Sequence, residues 1–126
     1  MRRILKTKAF TRWARKASLR DAALCGAIQE MVDGSIDANL GGGVLKKRIA
    51  LPGMGKSGGT RTLVATNKGS RWYFVFGFEK NERDNIEPDE LAALKRLAAD
   101  LLKLTDNQLD TAIDAGALTE ICHDHH

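Results

Sequence analysis

The hydrophobic period of the chain changes twice, and this limits the folds open to it. Helical spacing runs to about residue 34, two-residue alternation dominates the middle, and helical spacing returns after residue 85. Thr7 is placed to cap a first helix with Phe10, Trp13, Ala14 and Ala17 on one face, and Ser18 to cap a second carrying Leu24, Ala27, Ile28 and Met31. A short strand over residues 2–6 precedes them. In the middle, residues 44–51, 60–67 and 71–80 alternate and are rich in β-branched and aromatic side chains. Asn67-Lys68-Gly69-Ser70 supplies a tight turn between the last two. This is a three-stranded antiparallel meander. Asn85 or Glu87, followed by Pro88, opens a helix with Leu91, Leu94, Ala98, Leu101 and Leu102 as its apolar stripe, and Thr105 to Gln108 forms a capping box for another. The reading is α+β: two N-terminal helices on a small twisted antiparallel sheet, then C-terminal helices. Residues 1–104 form the main domain, and residues 105–126 a helical extension with a frayed CHDHH end.

At 126 residues the chain is long enough for one core without disulfides or metals. Cys25 falls in an apolar helical pattern far from Cys122, which reads as a buried reduced thiol. No stretch approaches the roughly 18 apolar residues of a membrane span, and the basic N-terminus lacks a signal-peptide apolar run. A cytoplasmic protein without membrane attachment is expected.

The net charge of +4 conceals a division: residues 1–83 hold 17 Lys/Arg against 6 Asp/Glu, and residues 84–126 hold 3 against 10. Between Ala38 and Phe78 lie seven basic residues and no acidic one. Such a segment seeks a polyanion, most commonly nucleic acid, although a solvated basic face has the same composition.

Within that segment, PGMGKSGGTR (residues 52–61) contains Gly55-Lys56-Ser57, the end of a nucleotide phosphate loop. The first glycine of that motif would fall at Ala50, and Ser57 leads into a strand, so no helix N-terminus exists to hold phosphates. The alternatives are a mobile hairpin loop and a cationic loop in which Lys56, Ser57 and Arg61 meet a phosphate. On the third strand Trp72, Phe74, Phe76, Phe78 and Lys80 share one parity, an aromatic row expected in the core with Lys80 at its rim. Lys46 and Arg48 share a parity on the first strand and add charge to the wet face.

A Lys/Arg-rich strand, a GxGKSGGxR loop (residues 53–61), a hydrophobic strand and an aromatic strand ending in Glu79-Lys80-Asn81-Glu82 resemble the RelE/HigB superfamily of toxin–antitoxin toxins, in particular its HigB-like branch. The match spans residues 46–102, and the two N-terminal helices fit in order. The resemblance implies a ribosome-dependent mRNA endonuclease, no cofactor, and an antitoxin partner often bearing a helix-turn-helix domain. It carries function onto Arg48, Lys56, Ser57, Arg61 and Lys80, with Asn81 and Glu82 completing the second motif.

RNA cleavage by its own 2′-OH needs a base, charge stabilisation at phosphorus and an acid for the leaving oxygen. The only histidines, His123, His125 and His126, sit in the tail. Arg61 and Lys56 are therefore expected to clamp the phosphate and Lys80 to supply electrostatic or proton-transfer chemistry, with Glu79 or Glu82 as the weaker candidate for the base. Lys46, Arg48, Ser57, Asn81 and Glu82 are the expected RNA contacts, and no metal is expected. Many members of the superfamily place a Tyr or His near the end of the sheet, whereas the single tyrosine here is Tyr73. Two other readings fit the composition: a toxin of the same fold against DNA gyrase, and a non-catalytic nucleic-acid-binding module.

Overall fold

A computed structural model describes residues 2–51 and 59–123. Ten elements occur in the order β1 (Arg3–Thr7), α1 (Lys8–Lys16), α2 (Asp21–Val32), β2 (Ala38–Gly41), β3 (Val44–Ile49), β4 (Thr60–Thr66), β5 (Arg71–Glu79), α3 (Pro88–Leu102), α4 (Asp106–Asp114) and β6 (Leu118–Ile121). The strands form one sheet in the order β2-β3-β4-β5-β1-β6, antiparallel except for the central β1–β5 pair. The fold is α+β, as expected, and the meander is its central part.

Two apolar layers sandwich the sheet. On one face Ile4, Leu45, Ile49, Val64, Trp72 and Phe74 meet Phe10, Ala14, Leu24, Ile28 and Met31 from α1 and α2. On the other, Leu5, Val44, Leu63, Ala65, Tyr73 and Val75 meet Ala98, Leu101 and Leu109 from α3 and α4. Burial on both faces explains why all seven residues of β4 are buried and why that strand lacks an exposed side.

The helix ends obey their local chemistry with one exception. Thr7 Oγ1 accepts the Phe10 N–H at 3.2 Å, and Thr105 and Gln108 form the expected reciprocal capping box. Ser18 does not cap α2, which begins at Asp21 behind an extended Arg20. Ser18 instead takes the left-handed conformation (φ 58°) that closes α1, its N–H donating to Arg15 O and that of Leu19 to Ala14 O. This is the paired closure of a Schellman motif, with Leu19 buried beneath it.

Three features depart from the sequence pattern. Ala38–Gly41 is an additional strand that returns through a glycine turn onto β3. Its four residues are too few to show a period. Leu118–Ile121 pairs antiparallel with β1 and forms the far edge of the sheet. The third is a β-bulge: Leu63 pairs with Phe76 but Val64 with Phe74, so Val75 is an extra residue in β5. The bulge divides the expected aromatic row. Trp72 and Phe74 lie in the α1/α2 core, while Phe76 packs against the α3/α4 core with Phe78 beside it.

Polar ties lock these layers. Lys47, 2 % exposed, reaches Glu30 at 2.8 Å and donates to the carbonyl and hydroxyl oxygens of Ser35, pegging β3 to the end of α2. Arg71 donates to Tyr73 Oη, Leu104 O and Asp106 Oδ1, and the Tyr73 hydroxyl donates to Leu101 O. The single tyrosine is thus committed to holding the α3–α4 junction. Arg3 grips Glu120 with two bonds of 2.9 Å and Asp110 at 2.7 Å. The hydrogen bond from Arg3 holds the Glu120 carboxyl below its ordinary range. Its contribution is therefore complete above the ordinary carboxylate range and is lost as pH falls through the depressed value.

The expected free thiol at Cys25 is corrected by the structure: Cys25 and Cys122 form a disulfide with a Cα–Cα distance of 5.8 Å across 97 residues. Sequence distance conceals the pairing because β6, by joining β1, returns the chain beneath α2. Closing so long a loop stabilises the fold by about 3–4 kcal/mol through loss of unfolded-state entropy. Adding a thiol reductant is expected to lower the melting temperature by about 10 °C in a circular-dichroism scan. The Cys25→Ser/Cys122→Ser variant should already melt at the lower value and ignore the reductant.

Gly77 provides a second test, since a Cβ there would collide with the Trp13 ring packed over it. Gly77→Ala is expected to cost about 1–3 kcal/mol in chemical denaturation.

Candidate nucleic-acid interface

The α3/α4 layer covers its face of the sheet unevenly. Along β3, Val44 is fully buried, Lys46 is half-buried and Arg48 is exposed, so the apolar floor gives way to cations toward the end where β4 begins and β5 finishes. The register places Arg48 directly opposite Arg61, and Arg61 opposite Phe78. Two like charges facing each other across a ladder are destabilising by a few tenths to about 1 kcal/mol. Arg48 is partly compensated by Asp37, which accepts its backbone N–H at 2.7 Å and lies 3.6 Å from its Nε. Arg61 is only 7 % exposed.

The next row continues the end of the sheet. Ile49, Thr60 and Glu79 are in register, and the Lys80 N–H reaches Gly59 O at 3.4 Å. Gly59 fits there because a Cβ would strike the Ile49 carbonyl. The segment 52–58, with Lys56 and Ser57, lies outside the described residues. Its flanking residues Leu51 and Gly59 are both at this end of the sheet. Arg48, Arg61 and the backbone of Lys80 are thus brought together at one sheet end. Lys46 lies two residues back along β3, opposite Leu63. Lys80, Asn81 and Glu82 are exposed on the turn after β5.

That turn adds a residue that sequence reasoning misses. The N–H groups of Glu82 and Arg83 both return to Glu79 O, folding the chain back. The Arg83 guanidinium comes to rest 5.3 Å from the ring centres of both Phe76 and Phe78. Glu90, in the first turn of α3, holds Arg83 Nη2 at 2.7 Å, and the Arg83 hydrogen bond keeps the Glu90 carboxyl below its ordinary range. The Arg83 Nε has no hydrogen-bond partner among the described residues. The one signal in the sequence is the position of Arg83 directly after the Lys80-Asn81-Glu82 run. The β-bulge that supplies its aromatic seat leaves no trace in the pattern.

Glu79 and Glu82 form the other titratable pair. Desolvation of Glu79, then its hydrogen bond with Glu82 and the charge of that neighbour, push its carboxyl above the ordinary range. A carboxylate raised in this way is a better proton acceptor than a free one. Because the folded value is the higher one, the pair's contribution is present below the unfolded value and is lost as pH rises through the folded value. Among the described residues no group of three His, Cys, Asp or Glu could hold a metal ion, and no helix is long and apolar enough to cross a membrane.

With this geometry in place, comparison with protein families finds a match to the RelE toxin of the RelE/RelB toxin–antitoxin system, over residues 2–121. The matched region includes α4 and β6 as well as the central strands. The chain belongs to this family of toxins. It is the toxin half of a two-component system, and its class implies an antitoxin partner. No curated protein matches it.

Glu82→Gln removes the neighbouring charge and is expected to move the Glu79 carboxyl back toward its ordinary range. A carboxyl-carbon NMR titration of Glu79 measures this, and an unchanged midpoint would show that Glu82 is not a cause of the shift.

Proposed function

We propose that this toxin is a ribosome-dependent mRNA endonuclease of the HigB-like branch, acting in the cytoplasm and neutralised by a helix-turn-helix antitoxin. The observation that carries this reading is the Arg48–Arg61 pair at the sheet end. The register puts these two cationic residues side by side on one face of the sheet, and guanidinium groups so placed suit a bound diester, whose charge they share. Arg61 and Lys56 clamp the scissile phosphate, and their positive charge stabilises the dianionic pentavalent phosphorus. Arg48, Lys46, Ser57 and Asn81 contact the flanking backbone.

Glu82, exposed on the turn that follows β5, takes the 2′-OH proton. The 2′-oxygen bonds to phosphorus, the bond to the 5′-oxygen breaks, and Lys80 supplies the proton to that oxygen. The products are a 2′,3′-cyclic phosphate and a 5′-hydroxyl. Nothing in the scheme calls for a metal or a cofactor. The ribosome contributes the alignment of the message, which a shallow, open sheet end cannot impose alone.

Inducing the chain in a bacterium and mapping transcript 5′ ends should reveal cuts inside translated messages. Arg61→Ala and Lys80→Ala are each expected to reduce cutting about 100- to 1,000-fold while leaving antitoxin co-purification intact. Growth arrest with intact messages would overturn the nuclease assignment, and altered plasmid supercoiling in the same cells would point to gyrase.

A further inference from the structure

The two cysteines have no part in the proposed reaction, yet their bond is placed where chemistry can reach it. It joins the middle of α2 to the residue that follows β6. Neither cysteine is sealed in the core: both are half-buried at the edge of the α1/α2 layer. Beside Cys25, Gly26 is exposed, and a Cβ added there would meet open space. Beside Cys122, His123 is exposed. A thiol approaching from solvent therefore has access to the bond.

The element that this bond holds is β6. It is an edge strand of four residues whose one ladder among the described residues is with β1. Its inward side chains plug both layers, Ile121 in the α1/α2 core and Leu118 in the α3/α4 core. The segment is tied covalently at two points, through the turn at Gly116 (φ 79°) after α4 and through Cys122. Cys122 takes the left-handed conformation (φ 65°), which residues other than glycine adopt at a cost. Local backbone preference thus opposes the docked geometry, and the cross-link maintains it. Without the bond β6 keeps its ladder and the Arg3–Glu120 pair, in which Arg3 is shared with Asp110. A short strand held this way belongs to the part of a fold that opens first.

We propose that Cys25–Cys122 is a thiol–disulfide exchange site that latches β6 and sets the lifetime of the toxin, with a protein dithiol as its co-substrate. A thiolate of the dithiol bonds to one sulfur of the pair, the Cys25–Cys122 bond breaks, and the freed sulfur takes a proton. The second thiol of the dithiol then displaces the other cysteine. Two electrons and two protons pass to the pair, and the dithiol leaves as its own disulfide. The oxidised chain keeps both cores plugged and is long-lived. The reduced chain releases β6 from β1, opens a rim of both cores to proteases and is short-lived. The latch rests on the function proposed above only for its compartment. In the cytoplasm thiols are kept reduced, and disulfides form there chiefly in catalysis or redox sensing.

The first arm of the test follows amide hydrogen exchange in β6 in the full chain: oxidised, reduced with dithiothreitol, and as Cys25→Ser/Cys122→Ser. Reduction is expected to speed exchange in β6 about 100-fold, and the serine variant should show the reduced rate with or without dithiothreitol. Urea separates a latch on β6 from general stabilisation of the fold. Local release of one strand exposes little surface, so β6 exchange in the reduced chain should barely respond to urea below the unfolding transition, while β4 exchange rises. Protection retained in β4 verifies that the reduced chain is folded. Unchanged β6 exchange, or a urea response equal to that of β4, would overturn the latch.

The second arm measures lifetime in a bacterium by pulse-chase, in a Lys80→Ala background that limits harm to the cells. Diamide, a thiol oxidant that takes up the two electrons and two protons of the pair, is added to half of each culture. It is expected to lengthen the half-life about 5- to 10-fold in the chain with both cysteines and to leave Cys25→Ser/Cys122→Ser at the short value. Equal half-lives, or a lengthening that the serine variant shares, would overturn control of lifetime by this bond. Neither arm requires cutting of messages. If the unsubstituted chain cuts none, the nuclease reading fails while both arms still report on the latch. If cutting is intact and β6 exchange ignores the reductant, the latch alone fails.

Discussion

One extra residue in β5 sets the relation between core and site. Trp72 and Phe74 point into the α1/α2 layer, but after Val75 the same row, as Phe76 and Phe78, emerges on the α3 side. A regular strand would have put Phe76 and Phe78 beneath α1, where Trp13 already fills the space above Gly77. The bulge removes that conflict and delivers two rings to the open end of the opposite face, where Arg83 settles on them. It also increases the local twist of the strand.

The two ends of the sheet solve opposite electrostatic problems. Where β5 begins, Arg3 and Arg71 are enclosed by Asp106, Asp110 and Glu120 around a cleft of about 770 Å³. Each guanidinium there meets a carboxylate at hydrogen-bond distance, so that end is a structural clasp. Where β5 finishes, Arg61 and Arg48 face one another and carboxylates crowd at Glu79 and Glu82. The carboxylate pair there costs stability once both groups are charged. A fold tolerates such costs where they are recovered in binding or chemistry.

How much of this is legible depends on the range of the interaction. Thr7, Thr105 and Gln108 act on atoms a few residues away, so their capping roles can be read from local spacing. The core strands are legible because β3, β4 and β5 are joined by short connections and carry strong β formers. Composition singles out Arg48 and Arg61, but their alignment requires the register. β6 and the disulfide are illegible because each depends on a partner more than 90 residues away: Ile121 pairs with Ile4, and Cys122 joins Cys25. Ser18 misleads because a serine before a helix usually caps it. Burial of Leu19 draws the residue into the left-handed turn instead.

The position of β1 has a consequence for how the molecule assembles. Among the described strands it comes first in the chain, yet it lies between β5 and β6, the last two, and Arg3 waits for Arg71 on one side and Glu120 on the other. Until they are made, its backbone N–H and C=O groups face two open edges. Contacts of such long sequence separation make folding slow. Until those two strands exist, the cationic residues of the middle strands are present without the finished sheet end that aligns them.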